Sequence, residues 1–311
     1  MKVLVTGGGG FIGSHVVDVL VARGYAVTVL DNQPGNVEKN LKQHLGDSRF
    51  RFVEGDIRDE DVVRRSLGGA EAVIHEAALA SVPQSLREPE LFHEVNADGT
   101  LVLLRESLRA GIKRFVLAST SAVYGDPKQL PTGEEVPPNP LSPYAETKLL
   151  AENHCREFHA RGLPTVCLRY FNVYGPRQVG GEEGSVIPKF LECVRDDRPP
   201  VIYGDGEQGR DFVHVSDVAE ITVLAMEKED AAGETINIGT GKMTTINRLW
   251  TMFAKMSGKT HLKPTHAPAR PGEVYRSVAN ISKARRLLNF EPRVGIEEGV
   301  KKLLVDLGRS R

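Results

Sequence analysis

The chain has 311 residues, with 40 Lys and Arg against 41 Asp and Glu and a formal net charge of -1. That balance gives no bulk electrostatic reason to expect nucleic acid or an acidic membrane as partner, and the length allows one large domain or two closely joined ones around a deep cleft. Cys155, Cys167 and Cys193 are widely spaced with no CxxC pair, so neither a disulfide framework nor a zinc site is indicated and a reducing cytoplasm fits.

The opening "MKVLVTGGGG" carries too short an apolar run for a signal peptide or a spanning helix, and a soluble protein is expected. Up to about residue 170, short β-branched runs alternate with longer amphipathic ones. "KVLVTG", "AVTVLD", "RFVEGD", "AVIHEAA", "RFVLAS" and "TVCLRY" read as buried strands, stopped by Gly, Asp or small residues. The helices between them include "FIGSHVVDVLVARG", closed by Gly24, and one helix through "PELFHEVNADGTLVLLRESLRAG". Such repetition predicts an α/β fold with a doubly wound parallel (Rossmann) sheet over residues 1–170. From 171 to 311 the rhythm breaks into shorter elements rich in Pro and Gly, expected to form a smaller α/β substrate domain. The run "ETINIGTG" predicts that about 233–258 returns to the main sheet.

"VLVTGGGGFIGSH" places Gly7, Gly10 and Gly13 at the junction of the first strand and first helix. Glycines there permit a tight turn and let backbone N–H groups approach a diphosphate at a helix N-terminus. The second strand ends in Asp31, where a carboxylate can bond both ribose hydroxyls of an adenosine. Asn32 and Gln33 follow, with no Arg or Lys to neutralise a 2′-phosphate, so NAD is favoured over NADP. Asp56 and Ile57, ending the third strand, are placed to flank the adenine, although a solvated strand end explains them almost as well.

"SPYAETK" sets Tyr144 and Lys148 on one face of a helix. A tyrosine with its ordinary pKa near ~10 needs a shift of about three units, roughly 4 kcal/mol of phenolate stabilisation, to act as a base near neutrality. A lysine ammonium and the positive ring of NAD+ are suitable sources.

Taken together, "GFIGSH", Asp31, "STSAVYG", the Tyr144/Lys148 pair and "LRYFNVYGPRQ" resemble the extended short-chain dehydrogenase/reductase superfamily, and within it the nucleotide-sugar 4-epimerases. The likeness covers essentially the whole chain. It implies that Thr120 hydrogen-bonds the sugar 4-hydroxyl beside the catalytic Tyr144, with Ser121 as an alternative contact, while Lys148 lowers the tyrosine pKa and orients the ribose. It adds Phe11, Ile12, Ala77, Ala78, Asn96 and Tyr170 to the dinucleotide contacts. For a UDP-sugar it implies Asn172, Arg210, Arg270 and Glu273 around the nucleotide, with Ser81, Ser85, Val186 and Tyr203 as weaker pocket positions. Ser277 falls at a gate where a small residue leaves space for a 2-N-acetyl group.

The activity implied is interconversion of UDP-glucose and UDP-galactose, with the N-acetylated pair also accepted. Related dehydratases and decarboxylases carry carboxylates at the positions of Ser121 and Ala122, which disfavours elimination here. The alternatives are a UDP-glucuronate 4-epimerase with Arg177 facing C6, a decarboxylase, a reductase, or a non-catalytic dinucleotide-binding scaffold. The retained Thr120, Tyr144 and Lys148 speak against the scaffold. The resemblance further implies a homodimer through a four-helix bundle from residues 89–110 and 143–161, and an altered loop over the dinucleotide at Ala80, where some relatives have lysine. The scattered histidines predict no metal site, and His75 reads as a packing residue.

Overall fold

The computed structural model describes residues 1–179, 185–269 and 274–309. The first six apolar runs form β1 (Lys2–Thr6), β2 (Ala26–Asp31), β3 (Phe50–Glu54), β4 (Ala72–His75), β5 (Arg114–Thr120) and β6 (Thr165–Tyr170). The seventh strand, β11 (Thr235–Ile238), joins beside β6, giving the order β3-β2-β1-β4-β5-β6-β11 with every pairing parallel. Apart from the edge strand β3, these strands are buried at almost every position because helices cover both faces.

One face packs against α1 (Phe11–Ala22), α2 (Pro34–Asn40), α9 (Val215–Glu227) and α11 (Ser282–Leu288), through residues such as Val17, Val37, Val218 and Leu288. The other packs against α3 (Glu60–Ser66), α6 (Gly99–Arg109) and α7 (Pro143–Ala160), through Val63, Leu103 and Phe158. Two short helices, α4 (Val82–Arg87) and α5 (Pro89–Phe92), precede α6. The strand order reverses between β1 and β4, so a crevice opens at their C-terminal ends, the usual ligand position in such sheets.

A second apolar cluster gathers α8 (Val186–Arg195), α10 (Ile246–Met256) and α12 (Ile296–Arg309) around Phe190, Trp250 and Phe253. Phe190 meets Trp250 and Phe253 edge to face, with centroids 5.1 and 5.8 Å apart. Short strands surround it: β7 (Asn172–Tyr174) pairs with β10 (Phe212–His214), β8 (Val201–Tyr203) with β13 (Thr265–Ala267), and β9 (Gly209–Arg210) with β12 (Thr244–Thr245) and β14 (Arg276–Ser277). Of the stretch 233–258, Thr235–Ile238 lies in the main sheet, while α10 belongs to this second cluster.

The single helix expected from Pro89 onward is interrupted by a π-helical turn over His93–Asp98. Its cause is local to Asn96, whose side chain accepts from Leu79 N at 2.9 Å and donates to Leu79 O at 2.9 Å and Thr147 Oγ1 at 3.2 Å. The widened turn lets one buried amide hold both the 77–81 loop and α7.

The start of α7 is set by Ser142, which accepts from Ala145 N at 3.2 Å, and by Pro143 in the first turn. Its middle is set by Glu152, fully buried, which forms a bidentate pair with Arg169 of β6 at 2.9 and 2.7 Å and accepts from Ser119 Oγ of β5 at 2.5 Å. Arg169 also lies over the Tyr124 ring, 4.6 Å from its centroid. Replacing one member of a buried pair leaves an uncompensated charge, so Arg169→Met is expected to lower unfolding free energy by about 3–5 kcal/mol. Urea denaturation followed by circular dichroism checks this; a loss below about 1 kcal/mol would show that water reaches Glu152.

Candidate active site

The crevice between β1 and β4 is a cavity of about 530 Å³ whose walls include Gly7, Gly10, Asp31, Asn32, Asp56, Ile57, Glu76, Ala77 and Ala78. Its floor is glycine for steric reasons. Gly7 has φ +67°, and a Cβ there would stand 2.5 Å from Ala77 N; a Cβ on Gly13 would stand 2.2 Å from Gly7 O. The α1 N-terminus therefore closes directly onto the β1 turn, and Phe11 and Ile12 follow in its first turn. Asp31 accepts from Gly9 N and Gln33 N, each at 2.9 Å. Burial raises its pKa and these two donors oppose the rise, while the carboxylate keeps lone pairs for a further donor.

Arg58 also lines the cleft, although it does not directly follow Asp31 in sequence. Its guanidinium is bound to both Asp56 oxygens at 3.0 and 2.9 Å and to Glu94 at 3.0 Å. That commitment agrees with a free 2′-hydroxyl rather than a 2′-phosphate at this end. The glycine cradle, the Asp31 carboxylate and the cleft fit a dinucleotide.

Beside the cleft, the end of β5 and the start of α7 meet. The Tyr144 phenol lies beside the Thr120 hydroxyl, which lowers its pKa and itself accepts from Ala122 N at 3.1 Å in the 3₁₀ turn Ser121–Tyr124. Lys148 is buried one helical turn on. Burial lowers its pKa to about 8, against the pull of Glu76 and Glu152. Burial also raises the Tyr144 pKa, the Thr120 hydroxyl lowers it and Glu76 raises it.

Glu76 has no counterpart in the sequence reading. It follows β4 directly, accepts from Tyr170 Oη at 2.8 Å and is held up to about 7, chiefly by burial. Its neighbour His75 points elsewhere, with Nδ1 2.7 Å from Thr6 Oγ1 and Nε2 2.8 Å from Thr100 Oγ1. Because Thr100 Oγ1 donates to Asn96 O at 2.6 Å, Nε2 carries the ring proton and Thr6 donates to Nδ1. Burial lowers the His75 pKa to about 3, and it is a structural residue.

On the far side, the register of β14 on β9 sets Ser277 opposite Arg210. Asn172 N donates to Asp211 O at 3.0 Å, tying β7 to the same strand pair. The buried Asp211 is the hub: its carboxylate accepts from Thr240 N at 2.8 Å, Gly241 N at 2.9 Å and Ala279 N at 3.1 Å. Val186 opens α8, and Tyr203 ends β8 with its ring partly exposed.

Other expected positions are engaged differently. Ser81 caps α4 by accepting from Gln84 N at 3.1 Å. Ser85 is fully buried, with its hydroxyl donated to Val82 O at 2.7 Å, so this arrangement gives it no open path to a ligand. Asn96 braces the 77–81 loop, and Tyr170 reaches Glu76 and Thr222. Arg177 binds Asp18 of α1 at 2.8 Å. Arg270 and Glu273 lie outside the described residues. Among the described residues no group of three or more His, Cys, Asp or Glu is placed to hold a metal ion, and no helix is long and apolar enough to cross a membrane.

A doubly wound parallel sheet, a glycine cradle and a tyrosine and lysine one helical turn apart beside a hydroxyl define a short-chain dehydrogenase/reductase. More narrowly, residues 3–239 match the sequence profile of the NAD dependent epimerase/dehydratase family, and the chain belongs to that family. It is similar along its whole length to solved structures. UDP-glucose 4-epimerase of Thermotoga maritima, bound to UDP-glucose, is 40% identical, with TM-score 0.91 and coverage of 100% of this chain and 99% of that one. UDP-N-acetylglucosamine 4-epimerase of Methanobrevibacter ruminantium, in complex with UDP-N-acetylmuramic acid, is 36% identical, with TM-score 0.94 and coverage of 100% and 99%. UDP-glucuronic acid 4-epimerase of Bacillus cereus, in complex with UDP-glucuronic acid and NAD, is 33% identical, with TM-score 0.93 and full coverage of both chains at 100%. NAD is thus the cofactor of the family, and the cleft described above has the form to hold it.

Charge-assisted hydrogen bonds contribute about 1.5–3 kcal/mol each, so Asp31→Ala is expected to raise the Kd for NAD+ roughly tenfold to a hundredfold. Calorimetric titration of wild type and variant measures this; equal affinities would remove Asp31 from the cofactor site.

Proposed function

We propose that the protein is a UDP-hexose 4-epimerase, interconverting UDP-glucose with UDP-galactose and UDP-N-acetylglucosamine with UDP-N-acetylgalactosamine. The observation that carries this reading is the placement of the Thr120 hydroxyl beside the Tyr144 phenol, whose pKa it lowers, with Lys148 one turn away and no carboxylate at Ser121 or Ala122.

Bound NAD supplies a hydride acceptor that later returns the hydride to C4, and a positive ring that favours phenolate. The protein supplies the proton chemistry. Tyr144 takes the proton of the sugar 4-hydroxyl and gives it back after the sugar has turned, while Thr120 holds that oxygen at the phenol. Lys148 keeps a positive charge beneath the phenolate and bonds the ribose. Gly7, Gly10 and Gly13 admit the diphosphate, and Asp31 bonds the adenosine ribose. Arg210 and Asn172 hold the UDP moiety together with Arg270 and Glu273, which lie outside the described residues, and Ser277 opposite Arg210 leaves volume for an acetamido group.

The UDP-glucuronate reading rested on Arg177 as a cation for C6, and the Asp18 ion pair draws that side chain to α1 instead. The free, buried state of all three cysteines agrees with a reducing, cytoplasmic setting. A homodimer through α6 and α7 is part of the proposal, resting on the resemblance to the nucleotide-sugar 4-epimerases.

Purified protein incubated separately with UDP-galactose, UDP-N-acetylgalactosamine and UDP-glucuronate, with products identified by NMR, tests the reading. Conversion of the first two without loss of water or CO2 is expected, and turnover of the uronate alone would overturn it. Tyr144→Phe removes the base and is expected to lower kcat by about 10²–10⁴-fold in the same assay. Ser277→Tyr is expected to depress activity on the acetylated sugar more than on the plain one; an unchanged ratio of the two activities would sink the role of Ser277.

A further inference from the structure

Among the described residues, Glu76 is a carboxyl group that lines the dinucleotide cleft and also acts electrostatically on Tyr144. It lines the cleft directly beyond β4, at the point where the strand order reverses. From β6, Tyr170 Oη donates to its Oε1 at 2.8 Å; from α7, Lys148 and Tyr144 feel its charge. From α9 comes Thr222, whose hydroxyl lies 2.8 Å from Tyr170 Oη and 2.7 Å from Val218 O. His75, next in sequence, is occupied with Thr6 and Thr100.

This chain of groups satisfies two states of the carboxyl. With Glu76 neutral, its O–H donates to Tyr170, Tyr170 donates to Thr222, and Thr222 donates to the Val218 carbonyl, so that each proton has an acceptor. With Glu76 ionised, Tyr170 turns its proton to the carboxylate and Thr222 can donate to Tyr170. A buried carboxyl without such a chain would be locked in one state by the cost of an unsatisfied partner. Asp31 and Asp56 occupy the adenosine end of the cleft, which leaves Glu76 at the end beside Tyr144, where the hydride is exchanged.

We propose that Glu76 is a positioning residue whose carboxylate, held by Tyr170 against the Tyr144–Lys148 pair, favours the cationic oxidised cofactor over the neutral reduced one and so holds the enzyme in the form that can start a turnover. A negative charge beside the nicotinamide ring would stabilise NAD+ and do nothing comparable for NADH. The same charge opposes ionisation of Tyr144, so the bias toward NAD+ is obtained at some expense in base strength. The inference rests on Tyr144 being the base, as in the proposed function, but cofactor binding can be read without any sugar.

The test is the ratio of Kd for NADH to Kd for NAD+, measured by competitive exchange on wild type, Glu76→Gln and Glu76→Asp. Glu76→Gln is expected to lower that ratio on the order of tenfold, and Glu76→Asp, which keeps the charge, to retain most of it. With UDP-galactose as substrate, Glu76→Gln should also move the acid limb of the kcat/KM profile to lower pH, since a neutral amide no longer raises the Tyr144 pKa. If the variant does not fold, wild type alone suffices. Its ratio should rise between about pH 6 and about pH 7.5 as Glu76 ionises, a window in which Lys148, with a pKa of about 8, stays largely charged. A ratio unaltered by Glu76→Gln to within about twofold, or by pH in wild type, overturns the inference even in a protein that epimerises UDP-galactose. A shifted ratio in a protein that turns over none of the UDP-sugars would leave the inference standing and remove the proposed function.

Discussion

The active arrangement depends on the buried ion pair between Glu152 and Arg169. Glu152 extends from α7 between two strands, bonded to Ser119 on one and Arg169 on the other, and those residues stand next to Thr120 and Tyr170. One turn earlier on the same helix is Lys148, and another turn earlier is Tyr144. A buried pair of this kind contributes little net stability over an apolar substitute, because desolvation consumes most of the attraction. Its directionality is what the site uses. Two carboxylate oxygens and a planar guanidinium admit few relative positions of α7, β5 and β6, so the phenol and the threonine hydroxyl meet without either being held by a loop alone.

The cofactor cleft follows from a different constraint, the close approach of backbone to backbone at the start of α1. Gly7 and Gly13 leave room for the helix to begin on the carbonyl of the β1 turn, and Gly7 also adopts a conformation that disfavours side chains. Asp31 then binds an amide of that turn through Gly9, so the residue proposed to recognise the ribose also ties β2 to the glycine loop. Recognition and local architecture use the same carboxylate.

These two constraints explain what could be read along the chain. The seven strands, the glycine cradle, Asp31 and the Tyr144/Lys148 spacing are local patterns, each contained within a few residues, and all are present in the structure. The π-helical turn at Asn96 was not legible, because the apolar spacing of residues 89–110 is equally that of one helix and the interruption is caused by a loop near Leu79. Arg177 was read as a cation near C6, but its partner is Asp18, 159 positions away in sequence and adjacent only once α1 is packed. Glu76 and Glu152 were passed over for the same reason. A carboxyl at the end of an apolar strand or within a helix looks solvent-bound until the strands that enclose it are assembled.

The charge balance of the assembled site has a further consequence. Burial alone disfavours both the ammonium of Lys148 and the carboxylate of Glu76, and it moves their pKa values toward each other, to about 8 and about 7. Each ionised group makes the other less costly, so near neutrality the pair lies close to the boundary between a charged and a neutral state. Asp31 is likewise raised by burial, and its two backbone donors oppose the rise. Burial thus acts on carboxyl groups at two places in the cleft, opposed at Asp31 by backbone amides and at Glu76 by the Tyr170 hydroxyl and the Lys148 ammonium. A positive ring beside Glu76 would favour both the Glu76 carboxylate and the Tyr144 phenolate, while each of those anions raises the cost of the other. Cofactor binding and activation of the base would then be balanced against each other through one carboxyl group.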